Sequence, residues 1–152
     1  MAIFPARVLL ATDGSPDATL AAESAIELSE RTGSELHIVH VGEYVPTYFA
    51  YTEEEPAELR RNAQLLLDEQ AERIEAAGGT IAGAHLRLGH PAEQIIALGE
   101  EIGAGVIVVG SRGLGALRRA VLGNVSENVV RYAYCPVFVV REDAEARPHG
   151  GA

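Results

Sequence analysis

Five short apolar runs, separated by four stretches of helical periodicity, constrain this chain more than any other feature. The runs are RVLLAT at 7–12, LHIVHV at 36–41, IAGAHLRL at 81–88, VIVV at 106–109 and PVFVVR at 136–141. Strict strand–helix alternation with nearly continuous apolar strands means a parallel sheet with helices on both faces. The expected class is therefore α/β, a single doubly wound domain over residues 1–141, with 142–152 as a flexible tail. At 152 residues the chain is long enough for one real core, built from Ala, Val, Ile and Leu because aromatics make up only 5% and Trp is absent. No internal repeat and no linker interrupts it.

The helices carry their own punctuation. In the first, over SPDATLAAESAIELSERTG, Ser15 is placed to cap, Pro16 suits the first turn and Gly33 closes it. Ala21, Ala25 and Leu28 form its stripe. After an aromatic-rich loop at 42–55 that ends in Glu53, Glu54 and Glu55, Pro56 opens a long helix to about Ala77. Leu59, Ala63, Leu66, Gln70 and Ile74 fall on one side of it, and Gly78–Gly79 stops it. His90–Pro91 begins a third helix through Ile102, with His90 as its cap. Ser126 to Tyr134 reads as the last. The alternating third strand belongs nearer an edge. Val106–Val109, the most apolar run, belongs at the centre.

Charge excludes some functions. A net charge of −10 argues against nucleic acid and anionic membranes, whose recognition rests on Lys and Arg. No segment approaches the roughly 20 apolar residues of a membrane span. The opening MAIFPARVLLATDG has no long apolar run, and Cys135 is the sole cysteine, so the expected location is the cytoplasm.

Against this acidity one segment stands out. Gly110 to Val129, GSRGLGALRRAVLGNVSENV, holds four glycines and three arginines, and from Gly103 to Ser126 there is no acid. In open parallel sheets ligands bind beyond the carboxyl ends of strands where the winding reverses. Two strands here end in glycine turns, Thr12-Asp13-Gly14-Ser15 and Gly110-Ser111-Arg112-Gly113. If the two strands are neighbours, both turns face one crevice. Glycines let a ligand approach backbone amides, and a helix beginning near Gly123-Asn124-Val125-Ser126 offers free N–H groups to an anion. A di- or triphosphate suits that combination. Singly, these features read as turns, an N-cap at Ser126 and a solvated Arg118–Arg119 face; together they favour phosphate. There is no Walker-type lysine in the loop, and Gly113-Leu114-Gly115 lacks the third small residue of a dinucleotide fingerprint.

These residues resemble the universal stress protein family over about residues 5–141. RVLLATDGS is similar to its first strand and acidic turn, GHPAEQI to the start of its third helix, and the segment from Val106 to Val140 to its ATP-binding region. The spacing G-x2-G-x9-G is met by Gly110, Gly113 and Gly123, with Asn124 standing where the motif has Ser or Thr. The resemblance implies a five-stranded sheet of order 3-2-1-4-5. It implies that ATP binds, with or without Mg²⁺ or Mn²⁺. Asp13 would accept from the ribose hydroxyls with Gly110 nearby, Thr12 would line the same turn, Val109 would belong to the site, and Val41 at the end of the second strand would meet adenine through its backbone. Arg112 and Gly113 would approach the phosphates, and Gly123, Asn124, Val125 and Ser126 would cradle them. It further implies a stress-response regulatory module and a homodimer paired through the last strand, Pro136 to Val140, an apolar edge in need of cover. A slow ATPase or phosphotransferase, and a dimer that binds no nucleotide, are the alternatives. Catalysis needs a metal and a group to position the nucleophile, and Asp13 is the sole obvious acid, so at most weak hydrolysis is expected. AMP or cyclic AMP could replace ATP.

Other residues read structurally. Asp13 as a catalytic acid or metal ligand is outweighed by its use as a hydroxyl acceptor or turn residue. His37 and His40 are three apart on a strand and face opposite sides, a poor metal geometry. Cys135 reads as core packing.

Overall fold

Alternation in the sequence becomes alternation in the fold. The structure, a computed structural model, describes residues 6–44, 56–111 and 124–141. Within them the order is β1 (Arg7–Ala11), α1 (Pro16–Thr32), β2 (Glu35–Glu43), α2 (Ala57–Ala76), β3 (Ile81–Gly89), α3 (Pro91–Ile102), β4 (Val106–Gly110), α4 (Asn124–Tyr132) and β5 (Val137–Val140). The aromatic loop from residue 45 to Glu55 and the expected tail at 142–152 lie outside the described residues. No described helix is long and apolar enough to cross a membrane.

All five strands are parallel, in the order β3-β2-β1-β4-β5. The chain winds outward from β1 through β2 to β3, then crosses back to place β4 on the other side of β1. The reversal therefore falls between β1 and β4. β3 and β5 are the edges, and β1 rather than β4 is the middle strand. Val106–Val109 is the most apolar run because β4 is covered on both faces and paired on both sides, not because it is central.

Strand parity sorts the core into two layers. Val8, Leu10, Leu36, Ile38, Val106, Val108 and Val140 pack beneath α1 and α2. Leu9, Val39, Ile107 and Val109 pack with Ile95 and Leu98 of α3 and Val129 of α4. Buried on the other helices are Ala18, Ala21, Ala25 and Ile26 of α1, and Ala63, Leu67, Gln70 and Ile74 of α2. The small residues of α1 let its axis lie close to the sheet. Leu28 and Leu66 sit at the margins of their stripes, so the α2 stripe runs through Leu67 instead.

The first helix ends as its sequence specifies. Ser15 Oγ accepts from the Ala18 amide at 3.2 Å, Pro16 follows, and Gly33 closes the helix at φ 70°. Three other boundaries differ. His90 occupies the N-cap position of α3 without a side-chain capping bond. Asn124 and Val125 are already helical in α4, so Ser126 lies within the helix and not at its cap. β2 continues through Gly42 and Glu43, and Val41 is not its last residue. Gly42 is a packing residue there rather than a break, since a Cβ on it would stand 2.7 Å from Leu88 Cδ2 and 3.2 Å from Ala63 Cβ.

β2 and β3 are each nine residues long, against five for β1. On the α3 face of this longer half, four side chains tie three strands together. Arg7 Nε donates to Glu35 Oε1 at 3.0 Å, the same oxygen lies 3.1 Å from His37 Nε2, and His37 Nδ1 lies 3.1 Å from His85 Nε2. His37 and His40 do face opposite sides, since His40 reaches the Thr12 carbonyl instead. The His37 and His85 ring centres are 5.4 Å apart, longer than the nitrogen separation by just two ring radii. The two nitrogens therefore point straight at each other, the geometry of an in-line N–H···N bond. An ionised carboxylate only accepts, so His37 Nε2 carries a proton; in a neutral ring Nδ1 then accepts from His85 Nε2.

Burial lowers the His85 pKa from its ordinary 6.5, helped by nearby His37 and Arg87 and opposed by Glu101. Hydrogen bonds from His37 and Arg7 lower that of the exposed Glu35 from 4.5. Each group holds its proton less readily in the folded chain than in the unfolded one. Its stabilising contribution is whole above the ordinary value and drains away as pH falls through the lowered one. The melting temperature should thus fall between pH 7 and pH 5. His85→Gln keeps an amide donor for His37 but cannot titrate, so its melting temperature should fall less over that range. Equal falls in parent and variant, read by circular dichroism, would remove His85 from the account.

Candidate functional site

The crevice at the reversal point is built from the ends of β1 and β4. Leu10 is in register with Val108, which brings Thr12 level with Gly110. Thr12 is buried and every polar group it has is engaged. Its amide donates to Val39 O at 2.9 Å, its hydroxyl donates to Gln70 Oε1 at 3.0 Å, and its carbonyl accepts from His40 Nδ1 at 2.9 Å. Since a carbonyl can only accept, the proton of that last bond belongs to His40. Asp13 follows, half-buried, with Oδ1 accepting from the Ser15 amide at 2.9 Å. Gly14 then turns the chain at φ 79°, where a side chain would be strained, and α1 begins.

On the β4 side, Val109 is buried in the α3–α4 layer and Gly110 ends the strand. A Cβ on Gly110 would stand 2.8 Å from the Asp17 carbonyl carbon, 2.9 Å from its oxygen and 3.0 Å from the Ala18 nitrogen. The first turn of α1 rests on this glycine, so its small size serves helix packing directly. Ser111 comes next and joins three elements. Its amide donates to Val140 O at 2.8 Å, its hydroxyl donates to Asp17 Oδ2 at 2.8 Å, and its carbonyl accepts from Ser126 Oγ at 2.7 Å. The N-terminal turns of α1 and α4, which lie on opposite faces of the sheet, are thereby fixed to one residue at the top of β4.

The remaining expected ligands divide into three groups. Asn124 is exposed at the start of α4, its Oδ1 accepting from Asn128 Nδ2 at 3.3 Å. Val125 packs its side chain against the α3–α4 layer, and the Ser126 hydroxyl is buried on Ser111. Both serve the fold through their side chains. Val41 lies on the part of β2 that runs past β1, since the β1–β2 register ends at Ala11 with Val39. Arg112, Gly113 and Gly123 lie outside the described residues.

Asp17, Ser111, Gln70 and His40 were not among the residues expected at the site, although they frame it. Gln70 did leave a trace, as a polar residue on an apolar stripe. Asp17 looked like any acid in a helix first turn, and nothing local marks it as 4% exposed. Among the described residues no group of three or more His, Cys, Asp and Glu could hold a metal ion. Cys135 packs against the α3–α4 layer, and burial pushes its thiol pKa up, away from the reactive thiolate.

The arrangement brings a half-buried carboxylate, an overrunning strand and the first described turn of α4 to one end of the sheet. The carboxylate can accept from hydroxyls, the strand can present backbone to a planar group, and the helix start can meet an anion. These are the recognition needs of a nucleotide.

Comparison with known proteins bears on the same span. The model of the universal stress protein family matches residues 6–141. A universal stress protein of Thermus aquaticus is 40% identical over 141 residues, covering 88% of this chain and 97% of the relative. The universal stress protein YxiE of Bacillus subtilis is 33% identical over 148 residues, covering 89% and 98%. A solved universal stress protein in complex with cAMP superposes with a TM-score of 0.70 at 25% identity, over 90% of this chain and 97% of that one.

The Gly110 contact is directly testable. Gly110→Ala forces a methyl into the backbone of α1, and such overpacking typically costs about 1–3 kcal/mol. The urea midpoint should drop accordingly, with an unchanged slope. A midpoint equal to the parent's would mean that α1 does not rest on β4 as described.

Proposed function

The chain belongs to the universal stress protein family, and from that premise we propose that it is a nucleotide-binding regulatory module that takes ATP at the β1–β4 crevice. The observation that carries this reading is the meeting of two chain turns at the sheet's reversal. One turn bears Asp13, and the other opens a segment with the Gly110, Gly113 and Gly123 spacing and no acid. The complex of a relative with cAMP supports an adenine nucleotide. Arg112, Arg118 and Arg119 favour a polyphosphate tail over a single phosphate, with Mg²⁺ or Mn²⁺ carried by the nucleotide itself. In this reading Asp13 accepts from the ribose, Val41 presents backbone to the base, and Gly110 to Gly113 and Gly123 to Ser126 approach the phosphates through their amides. Asn124 supplies an amide donor where the motif has a hydroxyl.

Binding is read by calorimetry with ATP and Mg²⁺, expected at one site per chain with low-micromolar or weaker affinity. Gly113→Val and Gly123→Val should each abolish it while the circular dichroism spectrum is retained. Absence of heat and of thermal shift at millimolar ATP would overturn the reading.

The same proposal includes a homodimer. β5 is an edge strand, and Phe138 on it is 49% exposed. Val130, Tyr132 and Tyr134, from α4 and the turn that follows it, are exposed as well. Antiparallel pairing of two β5 edges about a two-fold axis would satisfy their backbone groups and cover these side chains. Sedimentation velocity at micromolar concentration should give a dimer for the parent and a monomer for Phe138→Glu. A parent that sediments as a 16.1 kDa monomer defeats the dimer without touching the nucleotide site.

A further inference from the structure

Gln70 is the polar anomaly of the α1–α2 face. It occupies the inward stripe of α2 between Leu67 and Ile74, at 5% exposure, where packing alone calls for another aliphatic residue. Burying an amide there is costly unless its polar atoms are used. Its Oε1 accepts from Thr12 Oγ1, and its Nε2 lies 3.7 Å from where a Cβ on Gly14 would stand. The side chain therefore underlies both residues that flank Asp13.

We propose that Gln70 is a positioning residue for the nucleotide site, holding the turn after β1, through Thr12, in the form that presents Asp13 to the ribose. This rests on the nucleotide reading above. The division of labour around Thr12 supports it. Val39 and His40 of β2 already fix the Thr12 amide and carbonyl, so the end of β1 stays in the sheet without Gln70. What Gln70 adds is the orientation of the Thr12 side chain and a polar support under the left-handed glycine beyond Asp13. Without that acceptor the buried Thr12 hydroxyl must turn to find another, and the short turn from Thr12 to Ser15 moves with it. Gln70 touches no nucleotide itself; it acts on the ribose side of the crevice and not on the phosphate side.

The test is a double-substitution cycle on the full chain, reading affinity by calorimetry with ATP and with AMP, and stability by thermal melting. Gln70→Met keeps the length and removes the acceptor. Thr12→Val keeps the shape and removes the donor. Each should weaken binding about tenfold, for AMP and ATP alike, because the ribose is common to both. The double variant replaces a buried polar pair by an apolar one, which restores stability when both partners go together. Its melting temperature should therefore recover toward the parent's while its affinity stays about tenfold down, no worse than either single change. Leu67→Ala on the same helix should lower the melting temperature and leave affinity within about twofold, since it opens the core without touching the turn. Unchanged affinity in Gln70→Met, a loss confined to ATP, or recovery of affinity together with stability in the double variant would each overturn the proposal. Should Gln70→Met not fold, Thr12→Val and the double variant carry the same comparison. Failure of the parent itself to bind any nucleotide would instead bring down the site reading, and the positioning role with it.

Discussion

A helix lying directly on a strand end is the constraint on which the rest depends. The first turn of α1 comes so close to Gly110 that one added carbon would strike its backbone. That approach sets the height of α1 over β4 and brings the turn after β1 to the mouth of the crevice. Ser111 then locks the arrangement, with an amide, a hydroxyl and a carbonyl engaged by β5, α1 and α4 in turn. Buried polar groups are tolerable only when paired, and here each pairing ties a different layer to the sheet. Remove the close contact, and Asp17 and Ser111 no longer meet.

Much of this fold is legible in the residues. The β-branched runs and the Ser15-Pro16 and Gly33 signals depend on local physics, and local physics is what a sequence displays. The strand order and the placement of β5 at an edge came from family resemblance, and β3's edge position from its alternating pattern. The misreadings arise where tertiary contacts override local signals. Gly42 looks like a chain break, yet Leu88 and Ala63 need its missing side chain, and β2 runs on through it. Leu67 rather than Leu66 faces inward because the stripe is set by where α2 docks. Ser126 has the chemistry of a cap, but its partner is a carbonyl fifteen residues back. Asp17 and Ser111 are ninety-four positions apart, and no local pattern relates them.

At the candidate site the sequence displays Asp13 and Gly110, which the fold sets at the ends of β1 and β4, but not the residues that support them. Thr12, Gln70, His40 and Asp17 are tied into the turns around Asp13 and Gly110 by hydrogen bonds that no motif displays. Their hydrogen bonds are made within the chain, so the turn after β1 is set before anything enters the crevice. A site assembled in advance spends less of its binding energy on ordering itself.

The unequal strand lengths have a further consequence. β2 passes the last β1–β2 pair by four residues, a rise of roughly 13 Å at the strand repeat, while β4 stops level with the turn after β1. The top of the sheet is therefore a stair with a high tread on the β2–β3 side and a low one at β4. A stair has a direction. A long, two-ended molecule lying across it meets a taller strand end on the β2 side than on the β4 side, so the two orientations are not equivalent.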